Sequence, residues 1–361
     1  MQATLATPAA SEFLPLIPEL VLVGAAFALL MLDLFLNEKQ RVVTHLLAVA
    51  SLVLVAALLV AGTGGQGTVL GGMFIRDNMA DVLKIGTCVV SAIALLYGWP
   101  FLRERGLYKG EIAVLMLFAV VGMMLLVSAG SLVMVYLGLE LLALCSYALV
   151  AIDRDSPLAS EAAMKYFVLG ALASGMLLYG MSLVYGASGS IDLATIAANA
   201  ADAEQRTMLL TGMAFMLAGI AFKFGAAPFH MWVPDVYQGA PTPITLFIGS
   251  APKLAAFAMA MRLLEVGMGP LGDHWRPLLA ILAALSLVIG NLVALAQTNL
   301  KRMLAYSTVS HVGFLFMGLA GGGAIGYAAA MFYALGYTIM ATAAFGAIIL
   351  LSRRGFEADR I

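Results

Sequence analysis

The sequence has few charged residues and few cysteines, and each shortage excludes a class of protein. Only 11% of the 361 residues are charged and 63% are hydrophobic. Soluble domains carry roughly 25% charged residues, so a water-soluble globular fold is excluded. The formal net charge is −1, which provides no basic surface for nucleic acid. Cys88 and Cys145 have no CxxC spacing and no neighbouring histidine, so we predict buried free thiols and no metal, iron–sulfur or haem site.

Long apolar runs are what the sequence has in abundance. Mean hydropathy is +1.00, and polar, Gly or Pro clusters divide the chain into eleven runs of about 20 residues, the length of a membrane-spanning helix. The predicted spans are 14–36, 42–61, 80–98, 111–128, 130–151, 160–187, 207–238, 243–266, 275–297, 302–320 and 324–352. The runs lack the alternation of a barrel, and open strands cannot satisfy their backbone in lipid. We therefore predict an all-α polytopic membrane protein, whose first run is retained because no cleavage site follows it.

Basic residues are distributed unevenly between the loops on the two sides of the membrane. One side receives Lys39, Arg41, Arg103, Arg105, Lys109, Arg154, Lys301, Arg302, Arg353, Arg354 and Arg360. The other side receives only Arg76, Arg206, Arg262 and Arg276. The positive-inside rule makes the first side cytoplasmic, so the N-terminus is predicted outside the bacterial inner membrane and Ile361 inside. The four remaining cations are lysines within or at the ends of spans: Lys84, Lys165, Lys223 and Lys253.

The seventh span is interrupted by helix-breaking residues. It runs for about 32 residues, more than a bilayer requires at 1.5 Å per residue. Within it, Gly225 loosens the helix and Pro228 removes a backbone donor. The sequence therefore predicts a discontinuous helix, with Lys223 just before the break. Such breaks are tolerated in membranes only against protein or a water-filled cavity, where transporters place their ion sites.

Three charged residues lie near the middle of predicted spans: Glu140, Lys223 and Lys253. If unpaired, they would together oppose insertion by roughly 8–10 kcal/mol. A buried Glu–Lys pair that only holds helices together is the structural alternative. One carboxylate cannot neutralise two lysines, however, so at least one lysine must be neutral or hydrated. This arrangement favours a proton relay, a half-channel in which water connects the three side chains.

Histidines near the middle of the later spans are further candidates. His311 lies at the midpoint of span ten and follows the polar run Tyr306–Ser310. A lone histidine on an apolar helix is more often a hydrogen-bonded core residue, but the hydroxyls of this run offer places to order water between protonatable groups. His230 and Asp235 follow the break in span seven. A cytoplasmic loop and a proton access path fit these two residues equally well.

The remaining lysines have ordinary structural interpretations. Lys165 lies one turn after Glu161, which predicts an i,i+4 ion pair and a lysine that reaches the inner surface. Lys84 lies at the outer start of span three, where a lysine also reaches the surface easily, and we assign it no role. The two longest polar interruptions, 63–81 and 187–205, are predicted as loops on the outer side.

Two segments together resemble the antiporter-like membrane subunits of respiratory complex I. The first runs from Lys223 to Pro243 and reads KFGAAPFHMWVPDVYQGAPTP, and the second runs from Leu300 to Gly313. Ser250–Phe257 and Glu161–Phe167 are most similar to the NADH-quinone oxidoreductase branch of that family. The similarity covers nearly the whole chain.

The resemblance implies an architecture of fourteen helices that include two inverted five-helix repeats. Applied to this chain, it gives an N-terminal three-helix segment over 1–110 and a first repeat over 111–266. Residues 267–361 form a partial second repeat. We therefore expect the sequence to be a piece of a longer chain whose second repeat is incomplete here.

The resemblance also implies a function and a set of site residues. It makes Glu140 the glutamate of span five, Lys223 the lysine of the broken seventh helix and Lys253 the lysine of the eighth. It also makes Lys165 a charge that communicates with Glu140. His311 and His230, which were selected above from their positions in the spans, complete the set of predicted site residues. The expected activity is proton translocation driven by electron transfer in other membrane and peripheral subunits. NADH, FMN, iron–sulfur clusters and quinone are expected in those partners, with no cofactor in this chain.

Three other functions are possible. A cation–proton antiporter subunit or a membrane-bound hydrogenase subunit would have a similar broken helix, but both resemble this sequence less over Ser250–Phe257. A scaffold that transports nothing is the third possibility. The energetic cost of three central charges argues against it.

Overall fold

The computed structural model describes residues 10–200, 205–353 and 356–360, and almost all of this part of the chain is helical. Its α-helices, in chain order α1 to α14, are Ile17–Asp33, Val42–Val60, Asn78–Glu104, Gly110–Val127, Leu132–Val150, Pro157–Ser188, Leu193–Ala200, Arg206–Phe224, Trp232–Gly239, Thr242–Gly249, Ala251–Ala260, Gly272–Leu295, Leu300–Gly321 and Gly323–Leu351. Short 3-10 helices cover Ala10–Leu16 and Gly269–Leu271, and a π-helix covers Met261–Gly267.

Eleven helical segments of the described residues are long and apolar enough to cross a membrane, which confirms the predicted number of spans. Most ends lie within three residues of the prediction. The seventh segment differs most, because Arg206–Phe224 ends 14 residues before the predicted bound of 238. Next come the third and ninth segments, since Asn78–Glu104 ends and Gly269–Leu295 begins six residues beyond the predicted bound. The chain is therefore a multi-pass membrane protein.

Glycines allow α4 and α5 to cross at close range. A Cβ atom added to Gly122 of α4 would lie 2.7 Å from the backbone nitrogen of Leu142, and one added to Gly138 of α5 would lie 2.7 Å from that of Leu126. Any larger side chain would therefore force the two backbones apart. This close crossing fixes α5 against α4 and leaves Glu140, two residues after Gly138, on the side of α5 that faces α6.

The predicted break in span seven is confirmed. Helix α8 ends at Phe224, and Gly225 adopts a left-handed backbone conformation with φ of +77°. Glycine is favoured there because a side chain is strained in this conformation, and a Cβ atom would also lie 2.5 Å from Cγ2 of Val233. The helix resumes as α9 at Trp232.

A second interruption, not predicted from the sequence, divides span eight. Helix α10 ends at Gly249, and Ser250 has φ of −116° and ψ of −82°, outside the helical region. Pro252 has no N–H to donate to the preceding turn, and the hydroxyl of Ser250 donates instead to the carbonyl of Leu246 at 2.5 Å. Helix α11 then begins at Ala251, so Lys253 lies in the first turn after this second break.

The segment 63–81 was predicted as a plain outer loop, and this prediction is incomplete. It contains a small antiparallel hairpin of β1, Gly67–Val69, and β2, Phe74–Arg76. The backbone of this segment pairs with the turn between α4 and α5: Ile75 N donates to Ser128 O at 2.7 Å and Gly130 N donates to Met73 O at 2.8 Å. Pairing with this turn satisfies backbone groups that a bare loop near lipid would leave exposed.

The interpretation of Lys84 as a lysine that reaches the surface is wrong. Its side chain is fully buried, and Nζ lies 2.5 Å from Oε1 of Glu19 in α1. The ammonium also lies 4.8 Å from the centroid of the Phe74 ring. Helices α1 and α3 pack on α2 and α4, which close this region to water, so the charge of Lys84 is balanced by Glu19 and not by solvent.

Two of the cations that were assigned to outer loops, Arg76 and Arg262, are likewise more buried than those positions suggested. Arg76 is 2% exposed and donates to Asp81 at 2.7 Å, and Arg262 is 3% exposed and lies 2.8 Å from Asp77. Both carboxylates belong to the start of α3 or directly precede it. These arginines therefore connect the hairpin and the π-helix to the start of α3.

Candidate functional site: a line of protonatable side chains between two helix breaks

Lys223 lines a small cavity between α5, α6, α8 and α9, and Glu140 is connected to this cavity through Ser174. The Glu140 carboxylate accepts a hydrogen bond from the Ser174 hydroxyl of α6. Ser174 and Lys223 both line the cavity, together with Tyr147, Tyr166 and Trp232. Its volume is about 20 Å³, enough for one water molecule. Among the described residues, no direct ion pair joins Glu140 to Lys223, so a bridging water or hydroxyl is required for proton exchange between them.

Lys253 of α11 contacts the first break directly. Its side chain is 2% exposed, and Nζ donates a hydrogen bond of 2.6 Å to the carbonyl of Phe224, the last residue of α8. The final carbonyls of a helix lack helical donors and carry partial negative charge. The ammonium also lies 5.7 Å from the centroid of the Trp232 ring. The end of α8 thus stabilises the charge of Lys253 without a carboxylate partner.

His311 faces Lys253 across a second cavity. Nδ1 of His311 lies 2.6 Å from the hydroxyl of Tyr333 in α14. Lys253, His311, Tyr333, Tyr337 and Phe224 line this cavity, whose volume is about 10 Å³, the lower limit for one water molecule. His311, predicted as a site residue, thus has Tyr333 at hydrogen-bonding distance and shares the cavity with Lys253. Its role in proton transfer stays a prediction.

Lys165 forms an ion pair with α9, the second half of the broken helix. Its Nζ lies 2.8 Å from Glu161, which confirms the predicted i,i+4 pair, and 2.7 Å from Asp235 of α9. Arg302 of α13 also pairs with Asp235, at 2.7 Å. The Lys165 side chain is 43% exposed and has no direct contact with Glu140. The implied communication with Glu140 therefore depends on a longer path.

His230 lies in the irregular segment between α8 and α9. Its ring packs beside Tyr306 of α13, with centroids 6.1 Å apart. Nδ1 of His230 is buried and has no hydrogen-bond partner among the described residues. It is the only one of the six predicted site residues with such an atom.

The arrangement places protonatable groups in series. Ser174 connects Glu140 to the first cavity, Lys223 lies at the end of α8, and Lys253 bridges from that end toward the second cavity. Proton transfer requires donors and acceptors within hydrogen-bonding reach, directly or through one water. Two cavities of about one water each, the first lined by Lys223 and the second by Phe224 and Lys253, are compatible with that requirement.

Sequence reasoning missed the hydroxyl groups that complete this line. Ser174, Tyr333 and Tyr337 are polar residues in predicted spans, which is the signal that could have selected them. Many other spans also carry Ser, Thr or Tyr, and a single sequence does not show which of these face one another. In the described part of the chain, moreover, no three His, Cys, Asp or Glu side chains are arranged to hold a metal ion.

Comparison with known proteins adds sequence relationships to this geometry. Residues 129–361 match the profile of a family described as NADH:quinone oxidoreductase/Mrp antiporter, transmembrane. A protein of Xanthomonas euvesicatoria pv. vesicatoria named NADH-quinone oxidoreductase subunit N is 68% identical over 358 residues, which are 99% of this chain and 74% of that protein.

Solved structures share the fold. A chain of respiratory complex I from Thermus thermophilus aligns with a TM-score of 0.79 at 34% identity, covering 95% of this chain and 72% of that one. A chain of an archaeal membrane-bound sulfane sulfur reductase aligns with a TM-score of 0.80 at 28% identity, covering 93% of this chain and 70% of that one. Since two different respiratory complexes share the fold equally well, the fold alone does not select the chemistry.

Proposed function

Because the chain belongs to the NADH:quinone oxidoreductase/Mrp antiporter transmembrane family, we propose that it is a proton-translocating membrane subunit of an NADH-quinone oxidoreductase. Protons pass through Glu140, Lys223, Lys253 and His311, with hydroxyls and water between them. The observation that supports this path most directly is the position of Lys253. Its buried ammonium has no carboxylate partner among the described residues and instead contacts the end of the broken helix.

Electron transfer in partner subunits supplies the driving force. Flavin, iron–sulfur clusters and quinone belong to those partners, and this chain contributes the membrane path. A change of charge near Glu140 alters the electrostatic field at Lys223, which favours or disfavours the protonated lysine. Lys253 then receives or releases a proton toward His311. Lys165 and His230 are proposed to connect this line to the cytoplasmic side.

The test of this function is proton uptake by the assembled complex in proteoliposomes, driven by NADH and quinone. We expect the rate of proton uptake to be the same within about twofold in sodium-containing and sodium-free media, because lysine and histidine exchange protons and offer no oxygen cage for sodium. Copurification with flavin and iron–sulfur subunits should accompany it.

The alternative is the antiporter branch of the same family. It would be favoured if uptake required sodium, or if the chain purified without redox subunits. The 68% identity to a subunit N protein argues for the oxidoreductase branch.

The orientation in the membrane is proposed from the loop charges. With eleven cations on one side and four on the other, the N-terminus lies outside the inner membrane and residue 361 lies in the cytoplasm. A reporter enzyme that is active only in the cytoplasm, fused after Ile361, is expected to be active. The same reporter inserted in the hairpin loop, between Gly71 and Gly72, should be inactive. The opposite pattern would reverse the proposed orientation.

A further inference from the structure

The two helix breaks leave backbone groups that no helix satisfies. At the first break, the N–H of Ala227 lies beyond the end of α8. At the second, the carbonyl of Gly249 loses its helical donor, since the N–H of Lys253 bonds to the carbonyl of Ser250 at 3.0 Å. Buried backbone groups require partners, and a membrane interior supplies little water to serve as one.

A serine of α12 satisfies the first break. Ser286 is fully buried, and its Oγ accepts a hydrogen bond of 2.9 Å from the N–H of Ala227. Several buried hydroxyls in the described part of this protein only donate to a carbonyl of their own helix: Thr87 bonds to Leu83 and Thr338 bonds to Ala334, each at 2.8 Å. Ser286 differs from these two because its oxygen accepts from a backbone N–H of a different segment.

A tyrosine of α14 lies at the second break, with its hydroxyl within hydrogen-bonding distance of the carbonyl that has lost its helical donor. The hydroxyl of Tyr337 lies 3.2 Å from the carbonyl of Gly249 and 2.8 Å from Oγ1 of Thr308. Tyr337 also lines the cavity that contains Lys253 and His311. One aromatic side chain of α14 therefore contacts both the broken helix and the proton line.

Lys253 depends on both breaks. It lies in the first turn of α11, directly after the second break, and its Nζ reaches the carbonyl of Phe224 at the first. The position of its ammonium relative to that carbonyl is therefore set by how the two breaks are held.

We propose that Ser286 and Tyr337 are positioning residues that hold the two helix breaks and thereby set the location of the Lys253 ammonium. Both side chains come from the region 267–361, whereas the breaks lie in the region 111–266. Movement of α12 or α14 is therefore transmitted to Lys253 through one hydroxyl on each helix. This inference rests on the proposed function and assigns it two further residues.

The experiment compares variants of the assembled complex in proteoliposomes. Ser286→Ala and Tyr337→Phe each remove one hydroxyl, and we expect each to lower the rate of proton uptake per assembled complex about 3- to 10-fold. The KM values for NADH and quinone should change less than twofold, because those sites lie in partner subunits. Ser286→Thr keeps the oxygen acceptor and is expected to retain at least half of the wild-type rate.

Thr338→Val is the matched control. It removes a buried hydroxyl next to Tyr337 that bonds only within α14 among the described residues, and we expect a wild-type rate. The proposal is overturned by a wild-type rate in either Ser286→Ala or Tyr337→Phe. It is also overturned if the lost activity matches lost assembly, or if Ser286→Thr fails as completely as Ser286→Ala.

A fifth variant, Lys253→Met, separates this inference from the proposed function. If Lys253→Met pumps at the wild-type rate, the proposed function is wrong. If Lys253→Met loses pumping while Ser286→Ala and Tyr337→Phe pump normally, the function stands and only the positioning roles are wrong.

Discussion

Replacing Lys223 by Met is expected to lower the rate of NADH-driven proton uptake at least tenfold in the assembled complex. Methionine has nearly the same length and suits the apolar surroundings of α8, so the helix should fold. It cannot carry a proton. Because Lys223 lies between the cavity beside Ser174 and the end of α8, its loss removes the link between Glu140 and Lys253. The measurement is the quenching of a pH-sensitive dye in proteoliposomes.

A second variant of Lys223 and a control at Lys39 determine which property of Lys223 matters. Lys223→Arg keeps the positive charge but does not release a proton near neutral pH, so we expect it to fail as Lys223→Met does. Full activity in the arginine variant would show that the charge alone is needed and would contradict the relay. Lys39→Met is the control, since Lys39 is exposed between α1 and α2, and it should pump at the wild-type rate.

Replacing Lys84 by Met is expected to cause the largest loss of stability, about 3–5 kcal/mol. The change leaves the carboxylate of Glu19 buried at 2% exposure without its partner at 2.5 Å. Removing one member of a buried ion pair costs more than removing both, because the remaining charge stays desolvated. The midpoint of thermal unfolding in detergent, followed by circular dichroism, provides the measurement.

The double variant Glu19→Leu/Lys84→Met completes the thermodynamic cycle. We expect the double variant to be several kcal/mol more stable than Lys84→Met and close to the wild type, since apolar side chains of similar volume replace the pair. Equal losses in the single and double variants would mean that the side chains act by packing and not by charge. Proton uptake by the double variant should stay at the wild-type level, because the pair lies outside the proposed path.

The sequence alone determined the number of spans and the three central charges. Apolar runs of about 20 residues can only be helices in lipid, and the structure has eleven of them. The break after Phe224 was also readable, because a glycine and a proline within four residues prevent a continuous helix whatever surrounds them. These are local properties, so the local sequence was sufficient to predict them.

The tertiary structure decided which polar groups meet. Lys84 resembled a surface lysine until α1 was found to bring Glu19 against it, and Ser286 was indistinguishable from other helical serines until α12 was found beside the first break. The break at Ser250 was missed although Pro252 lies near the middle of the predicted span 243–266. Membrane helices often continue through a proline with only a kink, so Pro252 did not by itself separate a kinked helix from a broken one. Contacts between helices far apart in the chain depend on helix rotation and crossing. In a sequence with 63% hydrophobic residues, the helix faces toward lipid and toward protein are both apolar. The amphipathic pattern is therefore weak and predicts neither the rotation nor the crossing of the helices.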